Sequence, residues 1–258
     1  MKFLIPLLLG VLALPLWAAP TVVSAIPVLH GINLSLLADT GIEARYLPPA
    51  RLPLNRIPGW LNKVDVATLG QADALLTMES LQPELAIYPL LRQRQIRIVP
   101  IDVAQELAPA GAKVTLRPDG EGDYFWLDFG NLTLMGNVAA RDLARVWPAQ
   151  SAQIERNRQR LLRAVQGSAM AIDNLLLEHN VASLAVADER LMPLALALGL
   201  PLVAEQDADL VLTSRPAKGE ARRMWQPDPL LRMGGQSIEV WLAQNQQALS
   251  HQLAPSAD

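Results

Sequence analysis

The chain has 258 residues, 51% of them hydrophobic and 18% charged, with a formal net charge of −3. That is enough apolar sequence for one large core or two modest ones, and without a basic run it is not a nucleic-acid binder, because phosphate binding needs clustered Lys and Arg. There is no Cys and only 3 His, which excludes disulfides, thiolate metal sites and cysteine nucleophiles and leaves almost no supply for a His-rich zinc site.

Residues 1–19 read as a secretory leader. Lys2 gives a basic start, FLIPLLLGVLALPLW is apolar, and Ala18 and Ala19 are small enough for cleavage after either. The apolar run is short for a membrane span and is broken by Pro6 and Pro15. No Cys follows, so a bacterial lipid anchor is excluded; an uncleaved anchor is the competing reading. The leader predicts a periplasmic protein.

From residue 20 to 147, strand-like and helix-like segments alternate. Residues 21–26 (TVVSAI) form a β-branched strand stopped by Pro27, and 28–38 follow a helical pattern ended by Thr40 and Gly41. A second strand covers 42–47. Residues 48–60 (PPARLPLNRIPGW) hold four prolines and read as a structured loop. A short helix over 61–69, a strand over 72–78, a helix over 81–95 and a strand over 96–101 follow. Such alternation predicts a parallel sheet with right-handed crossovers. Residues 110–123 are polar and Gly-rich, the aromatic YFWLD follows, and 131–146 are helical.

Residues 148–180 carry Ile154, Leu161, Leu162, Val165, Ala169, Ile172, Leu175 and Leu176 at helical spacing, with Glu155 and several arginines on the other side. Pro148 suits the first turn and Asn180 a left-handed exit. This helix, about 45–50 Å long at ~1.5 Å per residue, predicts a spine between two α/β lobes. The second lobe spans 181–258: strand 181–187, helix 189–198, strands 202–205 and 210–213, an irregular segment 214–235, and an amphipathic helix 238–253. The fold class is α/β, two lobes with parallel sheets flanked by helices and joined by one long linker helix.

Catalytic and nucleotide motifs fail. There is no complete GxGxxG, no Walker A, no HExxH and no GxSxG. Glu178 and His179 are the only acid–His neighbours, and they fall where a His suits the negative end of the long helix. No nucleophile–base set can be assembled, so no enzyme is expected.

The segment YFWLDFGNLTLMGNVAARDLARVWP resembles the metal-binding class of ABC-transporter solute-binding proteins that serve zinc, manganese and iron importers. In that family a His-x-Trp-Leu-Asp-Pro segment precedes such a helix. VVSAIPVLHGINLSLLADTGIEARYLPP is similar to the family's first strand, helix and second strand, and PDPLLRMGGQSIEVWLAQNQQAL to its Asp-Pro-Leu and closing helix. The resemblance implies a cleft between the lobes, an inner-membrane ABC permease as partner, a monomer, and a divalent metal (Zn, Mn or Fe) as cargo.

The resemblance places the metal ligands at positions where this sequence departs. Leu54 stands where the family has its first His, and Tyr124 where it has the His of His-x-Trp-Leu-Asp. The third ligand falls near Asp188 and Glu189, and the last at Asp228. A site of Asp188, Glu189 and Asp228 with Tyr124 is oxygen-rich and suits Mn²⁺, Mg²⁺ or Ca²⁺ better than Zn²⁺. Each residue also has a plain structural reading: Asp128, Asp188 and Glu189 at helix starts, Asp228 in a turn before Pro229, and the aromatic residues as interlobe packing. His30 at a strand's carboxyl end, Leu54 and Arg56 are the candidate cleft residues. Two readings stay open: capture of a metal or metal-containing ligand, or the same fold with the metal site lost, binding an organic or chelated ligand or acting as an accessory transporter protein. A secreted α/β enzyme stands third. A single stiff helix along both lobes predicts a small lobe movement on binding.

Overall fold

The computed structural model describes residues 19–120, 122–215 and 223–254. Apart from Ala19, the expected leader lies outside them.

The first sheet is wholly parallel, in the order β2 (Glu43–Tyr46), β1 (Thr21–Ser24), β3 (Ala74–Thr77), β4 (Val99–Asp102). The central strands β1 and β3 are buried on both faces, which is why they read as continuous apolar runs rather than alternating ones. Helix α1 (Pro27–Leu36) follows β1 with Pro27 in its first turn, where a missing N–H costs nothing.

Between β2 and β3 the expected loop and helix are redistributed. Leu54–Arg56 is a 3-10 turn and α2 (Ile57–Leu61) starts inside the expected loop, with a proline in its first turn. The prolines that read as loop punctuation occupy tolerated helix-start positions instead. The expected helix over 61–69 is reduced to the 3-10 turn Val66–Leu69, capped by Asp65 and closed by Gly70 at φ 71°. The expected helix over 81–95 splits into the 3-10 turn Pro83–Leu85 and α3 (Tyr88–Arg92). The Glu79 carboxylate accepts from the backbone N–H groups of Ile87 and Tyr88 at 3.0 and 2.8 Å, taking over where a continuous helix would have used its own carbonyls.

Two long helices follow. In α4 (Phe129–Val146), Asp128 accepts from the Asn131 N–H at 2.7 Å, an N-cap that satisfies one orphan donor. The spine is α5 (Ser151–Glu178), preceded by the 3-10 turn Pro148–Gln150. Its inner line, including Ile154, Leu161, Val165, Ile172 and Leu176, is buried. Asn180 takes φ 55°, and the N–H groups of Asn180 and Val181 return to the carbonyls of Leu177 and Leu176 at 3.1 and 2.8 Å. This is the left-handed exit read from Asn180, completed as a Schellman motif.

The second sheet is also parallel, in the order β5 (Leu184–Val186), β6 (Leu210–Leu212), β7 (Met224–Trp225). The irregular reading of 214–235 missed β7, whose two residues are too few to show a period. The expected strand over 202–205 is a single bridge from Leu202 to Leu184, followed by the 3-10 turn Glu205–Asp207. After the 3-10 turn Glu189–Leu191, helix α6 (Met192–Leu198) ends on Gly199 at φ 67°. Helix α7 (Ile238–Leu253) has the predicted bounds. No described helix is long and apolar enough to cross a membrane.

Helices α1, α4, α5 and α7 pack together and carry one core across both lobes. Gly31 of α1 lies against α7; a Cβ there would stand 2.9 Å from Ile238 Cδ1. On α1, Ser35 Oγ donates to Glu239 at 2.7 Å and accepts from the Ile238 N–H at 3.0 Å. Asn157 of α5, fully buried, donates to the carbonyls of Leu36 and Ala38 at 2.8 and 2.7 Å. A buried amide with these partners fixes the register of the spine on α1, since leaving either carbonyl unpaired costs about 1–3 kcal/mol.

Candidate functional site: the interlobe cleft

A cleft cavity of about 670 Å³ opens between the lobes. Leu54, Arg56, Gln82 and Glu84 reach it from the segments after β2 and β3, Tyr124 and Trp126 from the aromatic turn before α4, and Arg190, Leu231 and Arg232 from the C-terminal lobe. Three hydrogen bonds join the lobes at its wall. The Leu54 N–H donates to the Leu231 carbonyl at 2.8 Å and the Tyr124 N–H to the Arg190 carbonyl at 3.0 Å. Trp126 Nε1 donates to the Pro229 carbonyl at 2.9 Å.

The aromatic turn is Tyr124 followed by the 3-10 segment Phe125–Leu127. Tyr124 is 5% exposed, 5.7 Å from the Trp126 ring and 5.2 Å from the Arg190 guanidinium carbon. Its phenol is pushed above the usual range, first by burial and further by Asp188, with Arg190 opposing. It is therefore a neutral phenol at neutral pH, braced by a cation over its face.

Asp188 accepts from the Arg190 backbone N–H at 3.2 Å and from its guanidinium at 2.9 and 2.6 Å. That partnership, foremost, holds its carboxyl down at about 2. Asp188 thus caps the turn that Arg190 belongs to, and both oxygens are engaged. Glu189 is exposed in the first turn of the same segment. Asp228 is exposed; its Oδ1 accepts from the Leu230 N–H at 2.8 Å, which holds Leu230 at φ 56°. Its carbonyl accepts from Trp241 Nε1 and Asn245 Nδ2 at 2.8 and 3.1 Å. Asp228 is therefore the pivot of an Asx turn against α7.

Of the sequence-selected residues, Leu54, Arg56 and Tyr124 line the cavity, whereas Asp188, Glu189, Asp228 and His30 do not. His30 lies inside the N-terminal lobe, 5% exposed, with its ring 5.5 Å from Tyr46. Burial lowers its imidazole from 6.5 to about 4. The strand-end position that suggested a cleft residue instead begins a helix whose His face turns into the core. The sequence reading missed Gln82, Glu84, Arg190 and Arg232. Arg232 stands four residues beyond the quoted Asp228 and Arg190 two beyond Asp188, so local signals existed; none marked Gln82 or Glu84.

No sequence-family model matches the chain. No characterised protein matches it by sequence. Solved structures do match by shape. Zn(II)-bound ZnuA-like domain of Streptococcus pneumoniae AdcA superimposes with a TM-score of 0.63 at 16% identity, over 91% of this chain and 98% of that one. FpvC of Pseudomonas aeruginosa, a solute-binding protein in complex with Ni²⁺, gives 0.64 at 13% identity, over 93% and 99%. ZnuA gives 0.61 at 14% identity, over 92% and 98%.

This chain has the fold of the metal-binding solute-binding proteins. The side chains that the resemblance singled out, Leu54, Tyr124, Asp188 with exposed Glu189, and Asp228, do not gather into a ready coordination set among the described residues. Leu54 supplies no donor and Tyr124 a neutral phenol. Asp188 is occupied by Arg190 and Asp228 by its turn. Among the described residues, no three His, Asp or Glu side chains gather closely enough to hold a metal ion. A zinc site needs three or four converging deprotonated donors, and this cleft offers aromatic and apolar surface with a guanidinium rim.

Proposed function

We propose that this chain is a periplasmic solute-binding component of an ABC importer. It captures its cargo in the interlobe cleft and delivers it to an inner-membrane permease, without turnover. The cargo is a metal-containing or small organic ligand rather than a bare divalent ion. One observation carries this reading: a 670 Å³ interlobe cleft in a solute-binding fold, walled by Leu54, Tyr124 and Trp126. That volume lies in the range of small-molecule sites, about 300–1,000 Å³, and is far larger than an ion requires.

Calorimetric titration with Zn²⁺, Mn²⁺, Fe²⁺ and Ni²⁺ tests the exclusion of a bare ion. Binding no tighter than millimolar is expected for each. Micromolar binding of any of them, abolished by Asp188→Ala or Asp228→Ala, would return the protein to the direct metal-capture reading.

A second reading has its own support. The Leu54–Leu231, Tyr124–Arg190 and Trp126–Pro229 hydrogen bonds join the lobes directly across the cleft. Such a module suits an accessory transporter protein that docks on a partner and carries nothing. A chain that takes up no solute from a periplasmic extract would favour it.

A further inference from the structure

Resting on the solute-binding reading, we infer that the cleft takes a hydroxylated polycarboxylate, free or as its metal chelate, held between Arg56 of one lobe and Arg232 of the other. The inference starts from the charges that the protein leaves unpaired. Of the ionised side chains lining the cavity, Asp123 is held by Arg117 at 2.6 and 3.0 Å, and Arg190 is held by Asp188. Arg56, Arg232 and Glu84 remain, each lining the cavity and none with a hydrogen-bond or ion-pair partner among the described residues. The free groups are thus two cations and one anion, with the cations on opposite lobes.

A guanidinium presents a planar fork of donors that matches a carboxylate bidentately. Two forks lining one cavity, on segments joined by the Leu54–Leu231 hydrogen bond, suit a ligand with at least two carboxylates. Between them, Tyr124, Trp126, Leu54 and Leu231 offer apolar surface for a short carbon skeleton. Gln82 also lines the cavity, and its Oε1 is buried without a partner among the described residues. A buried acceptor without a donor is costly, and a ligand hydroxyl satisfies it. A metal already wrapped by the ligand's own carboxylates would need no donors from the protein, which agrees with the lack of a donor cluster among the described residues.

The test is calorimetry on the full mature chain with citrate, ferric citrate and tricarballylate, which lacks the hydroxyl. Citrate or ferric citrate is expected to bind at micromolar concentration. Binding of citrate alone identifies the free acid as the source, and binding of ferric citrate only identifies the chelate. Each of Arg56→Gln and Arg232→Gln should weaken binding about 10-fold and the pair about 100-fold, as for loss of charge-assisted hydrogen bonds. Glu84→Gln should tighten it. Tricarballylate should bind more weakly than citrate, and Gln82→Leu should erase that difference. Both arginines are exposed, so the variants should keep the wild-type melting curve, which is checked alongside. Failure of both citrate forms to bind below millimolar, or full affinity in the double variant, overturns the inference. If the protein instead retains a neutral or cationic solute from a periplasmic extract, equally in the double variant, the anion assignment falls and the solute-binding reading stands. If it retains no solute at all, both fall.

Discussion

Along the spine the lobes meet through α1, α5 and α7, and there Asn157 and Ser35 spend their side chains on the protein itself. Asn157 bridges to Leu36 and Ala38, and Ser35 bridges to Glu239 and Ile238. At the cleft the lobes also touch, through Leu54, Tyr124 and Trp126, but among the described residues Arg56, Arg232 and Glu84 have no partners. Satisfied, close-packed contacts specify one arrangement and are expensive to disturb. Unpaired charges at an exposed rim add little to folding. The difference separates the contacts that hold the lobes together from the charges that the proposed cargo site would use.

The largest expected effect is at Trp126, 1% exposed and donating to Pro229. Trp126→Ala should cost about 3–5 kcal/mol in urea unfolding, whereas Trp126→Phe should lose far less. Equal, small losses would mean that the aromatic turn does not knit the lobes. Next is the pH dependence set by His30. Its folded imidazole titrates near 4 and the unfolded one near 6.5, so the unfolded chain binds the proton first as pH falls. His30 therefore draws stability down between pH 6.5 and about 4, by an amount on the order of 3 kcal/mol. Subtracting the stability curve of His30→Phe from that of the wild type should isolate this slope; parallel curves would refute it.

Smaller effects sharpen the contrast between spine and cleft. Asn157→Ala should cost about 2–3 kcal/mol, by leaving buried carbonyls unpaired. Arg56→Gln with Arg232→Gln should stay within about 0.5 kcal/mol of the wild type. Comparable destabilisation in the two cases would mean that the cleft arginines are structural after all. Solution scattering should show little compaction on adding ligand, because the spine limits rotation; a large change would move the hinge elsewhere.

The sequence carried the fold where its signals were long. The apolar line from Ile154 to Leu176, the left-handed exit at Asn180, the Asp128 cap and the bounds of α7 all follow from periodicity and capping chemistry. It misled where elements were short. Five-residue α2 and α3 and two-residue β7 show no period, and prolines at helix starts read as loop. The site was legible only by position. Leu54 and Tyr124 marked where donors were missing, but whether Asp188 and Asp228 were free depended on side-chain partners. Arg190 and the Leu230 turn claim them. The unpaired state of Arg56 and Arg232 is a property of tertiary placement that no local pattern encodes.

The most direct test of the anion assignment is native mass spectrometry of the protein purified gently, without chelators, from the cells that make it. A bound increment matching an organic anion, with or without its metal, is expected, and it should disappear in the Arg56→Gln, Arg232→Gln double variant. A wild-type protein carrying a single zinc or manganese ion, removed by a chelator and unaffected by the arginine substitutions, would contradict it.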